Sequence, residues 1–246
     1  IDSERIMNEL DDRKLVIVTG FQGVNKHGDY VTLGRGGSDT TAVALAAALH
    51  ADKCEIYTDV DGVFTADPRV VPNARKIEEI TYDEMLELAT SGAKVLHSRS
   101  VELAKKYGVE MVVRSSLNES EGTTVKEVVK MEKMLITGVA SDKNTARISV
   151  IGLEDKPGVA FKVFNRLAKN NINVDIVLQS VGREGTKDIS FTVAQDDLKE
   201  ALQVLEENKE ALKIQEVTHN EHVAKVAIVG AGMMSNPGVA SKMFEA

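Results

Sequence analysis

The chain has 246 residues, 38 acidic against 30 basic side chains, a formal charge of −8 and a pI near 5.3, with no dense lysine or arginine block. That balance argues against nucleic acid or an anionic membrane as the main partner and favours a small ligand. Hydrophobic residues make up 43%, enough for a packed core in one large domain or two ordinary ones. No stretch reaches the roughly 20 apolar residues that span a bilayer.

In chain order, Ile6 and Leu10 give a brief amphipathic helix, and Leu15 to Thr19 is a continuous apolar run of the kind buried in a parallel sheet. Phe21 to Leu33 reads as a hairpin around Asn25 to Asp29. The stretch Val31 to Leu45 follows, and it reads as a strand, a glycine turn and a helix N-terminus. Gly34, Gly36 and Gly37 allow close backbone approach to a ligand. Ser38, Asp39, Thr40 and Thr41 supply capping side chains, and the free amides and dipole of the helix start favour phosphate or carboxylate. Arg35, between the glycines, can grip a carboxylate with two parallel hydrogen bonds. The helix from Val43 to Leu49 is apolar on all sides and is expected to be buried.

A short strand, Glu55 to Tyr57, comes next, and strand, helix, strand at this spacing implies a crossover unit and an α/β layer architecture. The lone cysteine, Cys54, excludes an internal disulfide, reads as a buried strand position and indicates a reducing compartment. The loops Thr58 to Phe64 and Thr65 to Arg69 follow that strand, at the sheet end where open α/β folds bind ligands. Thr58 and Asp59 could hydrogen-bond a nucleotide and Arg69 could face its phosphates. Asp59 and Asp61 lack the spaced ligands and closing glutamate of a calcium loop.

Thr81 to Glu84 is a capping box before a helix at Met85 to Ala89. Lys94-Val-Leu-His97 precedes a helix at Ser98 to Tyr107 stopped by Gly108, and Glu110 to Arg114 is a strand. Glu119 to Lys133, charged and poor in core residues, reads as the boundary of a first domain spanning 1–126.

A repeat then appears. Val150-Ile-Gly with Asp155 to Phe164 returns as Ile228-Val-Gly with Ser235 to Phe244, a unit of small-domain size. The first copy, 135–217, reads as strand Arg147 to Gly152, a helix burying Ala160, Val163, Phe164, Leu167 and Ala168, strand Ile172 to Gln179, a hairpin around Arg183 to Gly185, and strand Ile189 to Val193. A helix with face Leu198, Ala201, Leu202 and Leu205 and a strand Leu212 to Val217 complete a βαββαβ, ferredoxin-like unit. Residues 218–246 begin the second copy and stop inside its first helix. The chain also opens without methionine, so it reads as cut at both ends. Val226 to Gly232 imitates a dinucleotide fingerprint, but Ser235 replaces the third small residue and Pro237 interrupts the helix, so NAD is not expected. His219 and His222 fall in a polar connector with no third ligand.

The set Gly34-Arg-Gly-Gly-Ser-Asp39, Thr58 to Gly62, Asp67-Pro-Arg69 and Lys94 to His97, in order before paired ferredoxin-like repeats, resembles the aspartate kinases, amino acid kinases with C-terminal ACT domains. The resemblance covers essentially the whole chain. It implies an α/β open αβα sandwich followed by ACT domains, and transfer of the ATP γ-phosphate to the β-carboxylate of L-aspartate with Mg²⁺, the first step of lysine, threonine and methionine biosynthesis in the cytoplasm. By position, Arg35, Ser38 and Asp39 would serve aspartate and transfer, with Asp39 and Arg35 catalytic. Thr58, Asp59, Phe64, Arg69 and Lys94 would surround ATP, and no protein metal ligand is assigned. Asp155 and Gln179 would bind lysine or threonine as effector. ACT pairing implies a homo-oligomer, or pairing with a small regulatory subunit that begins near Met131. The family's N-terminal Lys-Phe-Gly-Gly loop is absent from these residues. Two other readings are a kinase acting on another amino acid, such as glutamate, and a non-catalytic amino-acid-sensing fragment.

Overall fold

Two apolar strand patterns separated by helices build the first sheet, and the chain between them is long enough for the parallel crossover that such pairing requires. The computed structural model describes residues 1–129, 135–181 and 185–245. It divides into one unit of Ile1–Ser141 with Val226–Ala246 and a second of Asp142–Lys225.

In the first unit, helix α1 (Glu4–Asp11) precedes the hairpin of β1 (Gln22–Val24) and β2 (Tyr30–Thr32), helix α2 (Gly37–Leu49), β3 (Cys54–Thr58), β4 (Glu79–Thr81), α3 (Tyr82–Thr90), α4 (Ser98–Tyr107), β5 (Met111–Ser115) and β6 (Thr123–Lys126). The main sheet runs β3-β5-β6-β4, with β3 parallel to β5, β5 antiparallel to β6 and β4 parallel to β6. Its core gathers Ile80, Met85, Leu88, Val101, Met111, Val113 and Val125. The capping box forms as expected, Thr81 Oγ1 accepting from the Glu84 amide and Glu84 reaching back to the Thr81 amide. Cys54 is buried at the start of β3.

Three expectations fail in this unit. Residues 15–19 form no strand, and Leu15 and Ile17 are 86% and 89% exposed. No neighbouring strand pairs with them among the described residues, so an apolar run alone does not make a ladder. The parallel crossover is instead made between β3 and β5. Helix α2 is only partly covered: Gly37, Val43 and Ala46 are buried, while Leu45 and Leu49 line an open groove of about 460 Å³ with Ile6, Leu10, Val16 and Val18. Uniform apolarity therefore does not signal burial on every side here. Finally, the charged stretch 119–133 contains β6, whose Thr123 and Val125 are fully buried. Alternation supplies the core contacts there that composition hides.

The second unit holds most of β7 (Gly138–Glu154), α5 (Val159–Lys169), β8 (Val177–Val181), β9 (Thr186–Val193), α6 (Leu198–Glu207), the single turn α7 (Lys209–Leu212) and most of β10 (Glu216–Val229). The strand order β10-β7-β9-β8 is the fourth, first, third, second arrangement of a ferredoxin-like βαββαβ unit. A short helix, α8 (Val239–Glu245), ends the described chain. The expected strand from Ile172 begins only at Val177, because 172–176 runs as an extended segment anchored by Asp175 and Ile176 to Thr192. The expected strand at Leu212 is preceded by α7 and displaced to Glu216. His219 and His222, expected in a connector, stand exposed on β10 instead. Arg183 and Glu184 of the expected hairpin, and Met131, lie outside the described residues.

Gly152 sits in a bulge between Val150 and Leu153, at φ +75°, where a side chain would collide with Gln215. Its amide donates to Asp188 Oδ1 at 2.9 Å. The core below centres on Phe191, fully buried and edge-on to Phe164 with centroids 5.5 Å apart. Phe191→Ala is expected to destabilise this unit by about 3 to 5 kcal/mol, measured by denaturant unfolding. A change below about 1 kcal/mol would show that the core does not depend on this ring.

Candidate active site

The glycine turn bends as its sequence requires. Gly34 and Gly36 take φ of +76° and +73°, values open to glycine and strained for other residues. Gly36 is the residue before α2, and no side chain caps the helix start. The expected capping by Ser38, Asp39, Thr40 and Thr41 is thus replaced by a different pattern. The Thr40 and Thr41 hydroxyls donate backward, to the carbonyls of Gly36 and Gly37 at 2.8 and 2.7 Å. Thr41 Oγ1 also accepts from the Phe21 amide at 3.3 Å. Threonines that turn back onto the preceding carbonyls leave the mouth of α2 without a capping side chain, and a helix start of that kind favours an anion.

Around this mouth, Arg35 and Ser38 are exposed and Asp39 is half-buried. Burial pushes the Asp39 carboxyl above its ordinary value, against a smaller opposing influence of the neighbouring His97. The Cys54 thiol is pushed up to about 11 by burial and by the charge of Asp39. A side chain of Gly36 would collide with the His97 ring. The turn Lys94 to His97 therefore packs directly on the glycine turn, and Lys94 itself is exposed.

The second group of expected residues lies at the end of β3. Thr58 Oγ1 donates to Asp59 Oδ1 at 3.0 Å. Arg69 folds back on Asp67, with Nε and a terminal nitrogen donating at 3.0 and 2.8 Å, and the charge of Asp59 also acts on Arg69. The Arg69 guanidinium thus engages a carboxylate of its own loop. Phe64, half-buried, forms an isolated antiparallel bridge with Lys76.

Residues outside the expected set take part here. Ser116 donates to the Thr58 carbonyl through its amide at 2.8 Å and its hydroxyl at 3.1 Å. Asn118 Nδ2 donates to Asp61 Oδ1 at 2.7 Å. Both knit the loop after β5 to the loop after β3. The parallel pairing of those strands is the signal that could have found them, since neighbouring parallel strands end side by side.

In the second unit, Asp155 does not cap α5. No side chain caps that helix, and Asp155 Oδ1 is paired with Lys187 Nζ at 2.7 Å. Gln179 is exposed on β8, opposite Ile189 in register. Among the described residues no three His, Cys, Asp or Glu side chains gather into a metal-binding group, and no helix is long and apolar enough to cross a membrane.

A strand-end site beside a glycine-rich helix start, followed by a βαββαβ unit, is matched by two sequence profiles. The amino acid kinase family covers residues 1–115 and the ACT domain residues 148–208. Residues 1–115 thus belong with the amino acid kinase family and residues 148–208 with the ACT domains. The chain is 54% identical to the aspartokinase of Bacillus sp. (strain MGA3) over all of its own length and 60% of that protein's. It is also similar to Escherichia coli aspartokinase III in two solved forms. With aspartate and ADP bound, the R-state, the TM-score is 0.81 at 33% identity, over 99% of this chain and 54% of that one. With lysine and aspartate bound, the T-state, it is 0.73 at 34% identity, over 93% and 51%. The chain thus spans about 60% of the length of the curated relatives it matches.

The Asp39 environment sets a stability test. A carboxyl raised in the folded state is held protonated more tightly there than in the unfolded chain, so stability falls as pH rises from the ordinary value through the raised one. At neutral pH the half-buried carboxylate is a net cost that asparagine removes while keeping the side chain's shape. Asp39→Asn is therefore expected to melt at or above the parent's temperature at pH 7, with the difference vanishing in acid. A lower melting temperature at pH 7 would make Asp39 a structural residue.

Proposed function

We propose that the protein containing this chain is an aspartate kinase, which transfers the γ-phosphoryl group of ATP to the β-carboxylate of L-aspartate and releases ADP and 4-phospho-L-aspartate. The observation that carries this reading is the uncapped, glycine-rich mouth of α2, bearing Arg35 and Asp39, in a chain that aligns end to end with aspartokinases. It is supported by the relative solved with aspartate and ADP bound.

The acceptor carboxylate, with an ordinary pKa of about 3.9, is already ionised at neutral pH, so no general base is needed. One carboxylate oxygen attacks the γ-phosphorus, a new O–P bond forms in line, and the bond to the β,γ-bridging oxygen breaks with its electrons leaving on ADP. The protein's task is alignment and charge. In this reading Arg35 clasps a carboxylate of aspartate, Ser38 and the α2 amides complete that pocket, and Asp39 orients a cation at the transfer point. Thr58, Asp59, Phe64, Arg69 and Lys94 line the nucleotide side, with Arg69 exchanging Asp67 for phosphate. Mg²⁺ is assigned to the phosphates of ATP, whose developing charge it neutralises.

For regulation, we assign Asp155 and Gln179 to an effector amino acid, lysine or threonine. The uncapped start of α5 receives its α-carboxylate and Asp155, released from Lys187, its ammonium. The relative solved with lysine in a T-state supports this. Inhibition then follows from preferential binding to one of two global states. ACT units of neighbouring chains would pair around the effector, in a cytoplasmic oligomer.

Two experiments test these assignments in the full-length protein. ATP-dependent hydroxamate formation from aspartate and hydroxylamine should occur, and Arg35→Ala should weaken aspartate by roughly 1.5 to 3 kcal/mol with little change for ATP. Unaltered aspartate kinetics would remove Arg35 from the site. Asp155→Ala and Gln179→Ala should each leave uninhibited turnover near that of the parent and raise the effector concentration needed for half-inhibition. Calorimetry that finds lysine and threonine binding unaltered in both variants would refute the effector assignment.

A further inference from the structure

The start of α4 touches the glycine turn at two separate points. The His97 ring fills the space where Gly36 would carry a side chain, so the two fit only because residue 36 has none. The Asp39 carboxylate lies close enough to His97 for that residue to act on its pKa. Two residues on, a terminal nitrogen of Arg99 donates to the Leu33 carbonyl at 2.9 Å, immediately before the turn. His97 is itself held. Its Nδ1 accepts from the Arg99 amide at 3.3 Å, and its carbonyl accepts from the Ser100 hydroxyl at 2.7 Å. The turn is thus gripped at its beginning by Arg99 and at its crest by the ring.

Neither the helix cap nor the core accounts for both contacts. A cap needs only the Nδ1 acceptor, which asparagine supplies equally well. Arg99 is an exposed side chain, and an exposed arginine confers little stability by reaching a carbonyl. What the contacts share is that each fixes the path of residues 33–39. Reactant alignment is sensitive to such a path, since a displacement near 1 Å lowers turnover by about a hundredfold.

We infer that His97 and Arg99 are positioning residues that lock the glycine turn and Asp39 in the geometry needed for transfer, an assignment that rests on the kinase reading above. The latch acts on the acceptor side of the site. Its loss lowers kcat and weakens aspartate, and leaves the nucleotide loops after β3 and β5 unaffected.

The test uses His97→Ala, His97→Asn, Arg99→Ala and Arg99→Lys in the full-length protein, with kinetics, melting temperature and amide hydrogen exchange at residues 33–39. His97→Ala and Arg99→Ala should lower kcat by about ten- to a hundredfold, with the KM for ATP within about twofold of the parent. Arg99→Lys, which keeps one donor for the Leu33 carbonyl, should recover most of the activity. His97→Asn should recover the melting temperature but not kcat, because it restores the cap without refilling the space over Gly36. Exchange in the turn should quicken in both alanine variants. Parent-like kcat in Arg99→Ala, or recovery of kcat by His97→Asn, would overturn the inference. A parent protein inactive with aspartate and ATP would refute the kinase reading alone. The exchange rates would then decide the latch by themselves, and unchanged rates in both alanine variants would refute it.

Discussion

The first unit depends on a backbone conformation that glycine alone adopts without strain. Gly34 and Gly36 both take positive φ, and that pair of bends turns the chain from the β1–β2 hairpin into α2 with the helix mouth left uncapped. Other features of the site follow from this. Threonines 40 and 41 direct their hydroxyls backward, the His97 ring seats over residue 36, and Asp39 is held half-buried with its carboxyl raised. A half-buried carboxylate beside an open helix start is costly unless a ligand or cation uses it, which is the trade of stability against activity expected of functional sites.

Much of the fold was legible because it rests on local rules. The capping box at Thr81, the stop at Gly108, the hairpin held by Asn25 and the ferredoxin-like succession of elements all depend on residues close in sequence. The failures share one cause, which is that strand formation and burial are settled by partners. Leu15 to Thr19 has the composition of a central strand without a hydrogen-bonded neighbour among the described residues, whereas β6 has the composition of a linker and lies between β5 and β4. Apolarity, then, reports what a segment can bury, and pairing decides whether it does.

The site was legible to a similar depth. The glycine turn, Arg35, Asp39 and the Lys94 to His97 turn were identifiable as residue types suited to anions and charge, and the structure brings the two turns into contact. The grip of Arg99 on Leu33 spans 66 positions, and that of Ser116 on Thr58 spans 58, and no local pattern announces either. Arg69 shows the converse case, since its guanidinium is turned onto Asp67 by a neighbour only two residues away. Residue identity indicates what chemistry is available, and the tertiary contacts indicate how it is aimed.

The central claim is that the α2 mouth receives the amino-acid acceptor while the loops after β3 and β5 receive the nucleotide. Nuclear magnetic resonance of the full-length protein, labelled to resolve the amides of Gly36, Gly37 and Ser38, tests this most directly. L-aspartate added alone should shift those three resonances saturably and leave Thr58 and Asp59 in place. Shifts confined to Thr58 and Asp59, with the three turn amides unmoved at saturating aspartate, would contradict the account.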